Sequence, residues 1–163
     1  MQKSQYNESS AIKSVNHGYS VKNFKTFMGM DMTGFNFSMY KDNKKVADVT
    51  NDGGGGETEV GFLSDAVETD FNNMLKLLPE YYCDISKRNC KFNEEDFVNE
   101  LAAQYEEDKK LKRLCKTKTL FITADCGQNE CRTVKHVFNA NVKKFIQNKY
   151  KKDLIEIINE RFN

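Results

Sequence analysis

The stretch FNFSMYKDNKKVADVTNDGGGGETEVGFL, Phe35 to Leu63, decides the fold. Phe35, Phe37 and Met39 alternate with Asn36, Ser38 and Tyr40, a period of two that places the three apolar side chains on one face of a strand. Lys41-Asp42-Asn43-Lys44 reads as a tight hairpin into a second strand, Lys45 to Thr50. Asn51-Asp52 and the glycines Gly53 to Gly56 join it to a third, Thr58 to Leu63. Upstream, Tyr19 to Phe27 has the same β character, so four short runs with local connections predict an antiparallel meander.

Beyond Leu63 the period changes. Val67, Phe71, Met74, Leu75 and Leu78 recur at helical spacing, Asp65 with Glu68 resembles a capping box, and Pro79 marks the stop. Glu80 to Phe92 reads as a connection. Asn93 is a good N-cap for a second helix, with Glu94, Glu95 and Asp96 where the helix dipole favours acids and Phe97, Leu101 and Tyr105 as its apolar stripe. Thr119 to Ala124 and Arg132 to Val137 read as strands around Cys126-Gly127-Gln128-Asn129. A last helix is expected from about Asn141 to Arg161, with Val142, Phe145, Ile146, Tyr150, Leu154, Ile157 and Ile158 as its stripe. The order predicts one α+β domain over residues 18–163: an antiparallel β-meander followed by two helices, a β-hairpin and a C-terminal helix. A polar, aperiodic tail, Met1 to His17, precedes it.

The chain has 163 residues, 39% hydrophobic and 30% charged, enough to bury a core without disulfides. Its five cysteines are odd in number and irregularly spaced, which fits reduced thiols better than a secreted framework. The start lacks a signal segment and no apolar run reaches membrane length, so a cytoplasmic protein without a membrane partner is the expectation.

Charge is unevenly placed. Lys109 to Lys152 holds thirteen Lys and Arg against two acids, Asp125 and Glu130, inside a net charge of +1. Such asymmetry is expected where one surface meets an anionic partner. Lys109, Lys110, Lys112, Arg113 and Lys116 close the second helix; Arg132, Lys135 and His136 fall on a strand; Lys143, Lys144, Lys151 and Lys152 decorate the last helix. If these elements lie side by side, the eleven Lys and Arg residues form one phosphate-facing surface. The alternative is a solvated face that contributes solubility.

Other constellations are incomplete. Cys126, Cys131 and His136 are the one set resembling a metal site, but paired knuckle spacing is missing, and on a strand Cys131 and His136 point to opposite faces, so no metal or other cofactor is assigned. The glycine run lacks the Lys-Ser or Lys-Thr pair of a phosphate loop and is followed by Glu57 and Glu59, so it reads as a hairpin loop. Cys83 or Cys131 with His136 gives a nucleophile and base on paper without an assembled triad, and no catalytic residue is assigned. Asp48 is a charge in an apolar strand, the mark of a half-exposed sheet. Tyr81, Tyr82, Phe24, Phe27, Phe35 and Phe37 are mostly core candidates, with two or three left to stack bases or anchor an interface.

The segment Phe27-Met28-Gly29-Met30 followed by Gly34-Phe35, then Tyr40 to Ala47, the run KLKRLCKTKTLF ending at Phe121, and Arg132-Thr133-Val134 resemble small uncharacterised bacterial and phage proteins. The resemblance covers most of the chain after the tail and transfers no catalytic residue. It implies a self-contained domain of a mobile element that binds host machinery. The reading that follows is a non-enzymatic protein contacting nucleic acid or a nucleoprotein complex through the basic surface. A protein-interaction module that inhibits or adapts a host protein is the alternative, and a small metal-dependent or hydrolytic enzyme the third.

Overall fold

A computed structural model describes residues 17–83, 86–127 and 130–162. The expected tail lies outside these residues except for His17. The chain is α+β and divides into two compact units, Met1–Tyr105 and Glu106–Asn163.

In the first unit β1 (Tyr19–Met28), β2 (Thr33–Lys41), β3 (Lys44–Asn51) and β4 (Glu59–Phe62) form an antiparallel sheet in that order. Asp42 and Asn43 both take positive φ, +48° and +66°, between the paired Lys41 and Lys44. This is the turn that matches strand twist, and Asp and Asn tolerate it. The alternation of β2 holds: Phe37 and Met39 are buried with Ala47 and Val49 of β3. Asp48 lies on the outer face, where Ser38 Oγ and Lys45 Nζ donate to its carboxylate at 3.0 and 2.7 Å.

Helix α1 (Asp65–Leu75) and the first half of α2 (Glu94–Cys115) cover the inner face. The N-cap of α1 is Ser64, one residue before the expected box, and Asp65 and Glu68 complement the dipole from inside the first turn. Asn93 caps α2 reciprocally: its Oδ1 accepts from Asp96 N at 2.7 Å, and Asp96 Oδ2 accepts from Asn93 N at 3.2 Å. Tyr19 sits edge-on to Phe71 and Phe97, with centroids 5.3 and 5.6 Å apart. Each buried ring contributes about 1.5–3 kcal/mol by leaving water. Burial first, then Asp70 and Asp42, pushes the Tyr19 phenol up to about 12.

The expected connection Glu80 to Phe92 contains a short hairpin, β5 (Tyr81–Cys83) with β6 (Arg88–Cys90). Its reason is burial. Tyr81 opposite Cys90 brings its ring within 4.9 Å of Phe92, and its hydroxyl donates to Asp96 at 3.3 Å. Of the tyrosine pair only Tyr82 is exposed.

The glycine loop is built for close approach. Gly53, at φ +71°, accepts from the backbone N–H groups of Asp31 and Met32, both at 2.9 Å. A Cβ on it would stand 2.3 Å from Met32 O. The Gly53 and Gly54 amides are spent on Asn51 Oδ1 and Asp52 Oδ1, so neither is offered to a phosphate.

In the second unit β7 (Thr119–Thr123) is central, with β8 (Arg132–Val134) and β9 (Leu154–Ile157) antiparallel on its two sides. Helix α3 (Ala140–Tyr150), capped by Asn139, buries Ile146 against Phe121 and Ile157. The helix expected to reach Arg161 therefore stops eleven residues earlier. Lys151 turns the chain with φ +44°, and Leu154 to Ile157 enters the sheet instead. The apolar residues 154, 157 and 158 suit helical spacing, but the β-branched Ile155, Ile157 and Ile158 also suit a strand, and β7 has an open edge to pair. Strand β8 ends at Val134, three residues before the expected limit, because His136 N donates back to Val134 O at 2.7 Å and Thr119 Oγ1 donates to His136 O at 2.8 Å.

Candidate functional site

The register of the second unit fixes the side of its sheet that Arg132 takes. Arg132 pairs with Phe121, and Phe121 with Ile157, so these side chains point to the face that α3 covers. Glu156, opposite Ile122, points to the other face and binds Arg161, whose charge is felt together with those of Asp108 and Glu107 on α2. Lys109, Lys110, Lys112 and Arg113 are exposed at the end of α2, and Lys116 just after it. Lys144, Lys151 and Lys152 are exposed on α3 and the turn after it, and Arg132 is exposed on β8 beside Tyr150. Along this unit the cations fall in two groups, those at the end of α2 and those of β8, α3 and the turn after it. Lys135 lies beyond the end of β8, and Lys143 is held by Glu160.

The α3 patch has the richer chemistry. Tyr150, at the C-terminal end of α3, has Arg132 Cζ 5.6 Å from its ring centroid and Lys149 Nζ 5.5 Å from it. Lys149 also lies 5.6 Å from the ring of Phe145, which is 53% exposed and so leaves the buried stripe in which its spacing places it. Ala124, Asp125, Arg132, Tyr150 and Asp153 line an open depression of about 530 Å³. Lys151 and Lys152 follow at its edge by chain connection.

Arg132 is fixed rather than loose. Its Nε donates to Thr123 Oγ1 at 2.9 Å and its Nη2 to Asp125. Thr123 Oγ1 is also 2.6 Å from Asp125 Oδ1 and 3.3 Å from Cys126 Sγ. The Thr123 hydroxyl first, and Arg132 next, hold the Asp125 carboxyl below its ordinary range. Two guanidinium nitrogens keep hydrogens for a ligand. Tyr150 and Phe145 are the residues that charge counting misses, Lys149 is counted without being singled out, and a pattern of aromatic and cation four or five apart on one helix is the signal that finds them.

The cysteine set is dispersed among other duties. Cys126 faces Thr123, Cys131 precedes β8, and His136 lies in the tight turn after it. Among the described residues no three His, Cys, Asp or Glu side chains converge as metal ligands. Likewise, no helix among the described residues is long and apolar enough to cross a membrane.

Comparison with family models, curated proteins and solved structures yields no match to this chain.

Proposed function

We propose that this protein binds single-stranded nucleic acid through Arg132, Lys144, Lys149, Lys151 and Lys152 around the Tyr150 ring, without carrying out a reaction on it. The observation that carries the reading is Tyr150 with two cations within 5.6 Å of its ring at the rim of an open depression, and exposed Phe145 five residues away on the same helix. Cations that track a backbone, interleaved with rings on which bases stack, are the physical requirement for binding single strands. Stacking contributes about 1–3 kcal/mol per base, and each neutralised phosphate adds a salt-dependent increment. In this reading Arg132 is a positioned phosphate or base contact, and the lysines are adaptable ones.

The experiment is a titration of labelled single-stranded DNA, duplex DNA and RNA at several salt concentrations. Binding at micromolar concentration or below, steep in salt and stronger for single strands, is expected. Absence of binding at low salt overturns the reading.

A second reading, docking on a host protein, rests on the tip between β1 and β2. Met28, Met30 and Met32 are exposed there, Met30 by 95%, on a backbone that Gly53 holds in place. Methionine adapts to apolar grooves, and the flanking Asp31 and Asp52 favour one with a basic rim. Replacing the three methionines by Ser and comparing capture of host proteins with that of unaltered protein tests it; equal capture removes it.

A further inference from the structure

Resting on the single-strand reading above, we infer that the depression beside Tyr150 takes one guanine base of the strand, held by the Arg132 guanidinium and the Asp153 carboxylate. The protein then chooses strands by sequence as well as by charge.

Arg132, Asp125 and Asp153 line the depression together with Tyr150 and Ala124. One guanidinium against two carboxylates leaves its wall net negative, while Lys149, 5.5 Å from the Tyr150 ring, and exposed Lys151 and Lys152 belong to the helix end and the turn that follows. Such a wall repels a phosphate but not an uncharged base. The volume, about 530 Å³, falls among the roughly 300–1,000 Å³ of sites that take small organic groups. Phosphates therefore run along the lysines and a base turns inward.

Hydrogen bonds between neighbouring strands hold this wall in place. Ala124 N donates to the carbonyl of Asp153 at 2.8 Å, so Asp153 stands beside the strand end that leads to Asp125. Arg132 reaches the same place from β8, through Thr123 Oγ1 at 2.9 Å and through the Asp125 carboxylate. The two Asp125 oxygens already accept from Thr123 and Arg132, which makes Asp125 the residue that positions Arg132. Asp153 is exposed and supplies the carboxylate that reads the base.

Donors and acceptors select guanine. This base carries O6 and N7 as neighbouring acceptors and, on its Watson–Crick edge, N1–H and N2–H as adjacent donors. A carboxylate accepts both N–H groups in parallel, and the guanidinium donates to O6 and N7 with the hydrogens that Thr123 and Asp125 leave over. Adenine and cytosine set one amino group beside a ring nitrogen that accepts, and thymine or uracil sets one N–H between two carbonyls. Each of these turns a lone pair toward the carboxylate, which repels it. In a duplex the cytosine partner consumes N1–H and N2–H, so only an unpaired guanine satisfies Asp153. The Tyr150 ring offers the flat side on which such a base rests.

The test compares labelled oligothymidylates of one length whose central base is thymine, adenine, cytosine or guanine, at low salt, on the unaltered protein and on Asp153→Asn. The guanine strand should bind about five- to tenfold more tightly than the other three, the low end of what a bidentate base contact discriminates, because the depression is open to water. Asp153→Asn should remove that preference and leave the other three affinities little changed, a split that a general loss of structure does not produce. Equal affinity of the four strands, or a preference that survives Asp153→Asn, overturns the inference and leaves the single-strand reading standing. Binding of none of them overturns both. Guanosine monophosphate that displaces the labelled guanine strand as effectively as the unlabelled strand does would give the depression to a free nucleotide and overturn its place in a strand.

Discussion

Asn159 takes the backbone N–H of Leu120 on its side-chain oxygen at 2.8 Å, while its amide nitrogen donates to Cys115 O and Lys118 O at 3.2 and 2.9 Å. One side chain, 2% exposed, thereby satisfies three backbone groups where α2 passes into β7. Asn159→Leu keeps much of the volume and leaves all three without their partner. Buried polar groups so orphaned cost about 1–3 kcal/mol each when water cannot reach them, and relaxation recovers part of the sum. A loss of about 2–4 kcal/mol in chemical denaturation is expected.

Two positions in one glycine run should respond in opposite senses. Gly53→Ala puts a Cβ 2.3 Å from Met32 O at φ +71° and should destabilise by more than about 1 kcal/mol. Gly56 has nothing within 4 Å of the added atom and no positive φ, so Gly56→Ala should be neutral or stabilising by up to about 1 kcal/mol. Thermal midpoints of the two variants decide it; equal losses would mean that the loop does not hold the methionine tip.

Local patterns carried most of the fold. The alternation of Phe35, Phe37 and Met39, the Asp42-Asn43 turn and the Asn93 cap each depend on neighbours in sequence, and each is found where the residues put it. Partnership across the chain was hidden. Leu154 to Ile157 becomes a strand because β7 offers an edge, and Tyr81 makes a hairpin because Phe92 offers a ring. The surroundings of the cations were hidden for the same reason: a charge count along the chain does not record that Arg132 is fixed by Thr123 and Asp125 beside the Tyr150 ring.

Acid should weaken the far face of that sheet. Arg161, by its hydrogen bond and then its charge, holds the Glu156 carboxyl below its ordinary range, and Glu156 raises Arg161 in return. A carboxyl depressed in the folded state stabilises above its unfolded pKa of about 4.3, and that stabilisation disappears as pH falls through the lower folded value. The pair is partly exposed, so solvent limits its worth to under about 1 kcal/mol. Glu156→Gln should lower the denaturation midpoint at neutral pH and match the unaltered protein at about pH 3. A deficit that persists in acid would assign the effect to packing.

The two basic patches make separable predictions about binding. Lys151→Gln with Lys152→Gln removes two cations beside Tyr150, so the slope of log affinity against log salt should shrink by about two units for single strands. Tyr150→Leu removes the ring between Arg132 and Lys149 while keeping an apolar side chain over Phe121, and should weaken binding by about 1–3 kcal/mol with little change in slope. Lys109→Gln with Lys110→Gln removes the same charge from the end of α2 and should leave the slope nearly unchanged if the strand is held around Tyr150, since these lysines are not among the cations at its ring. Equal effects of the two lysine pairs would show that net charge alone governs affinity and would withdraw Tyr150 from the interface.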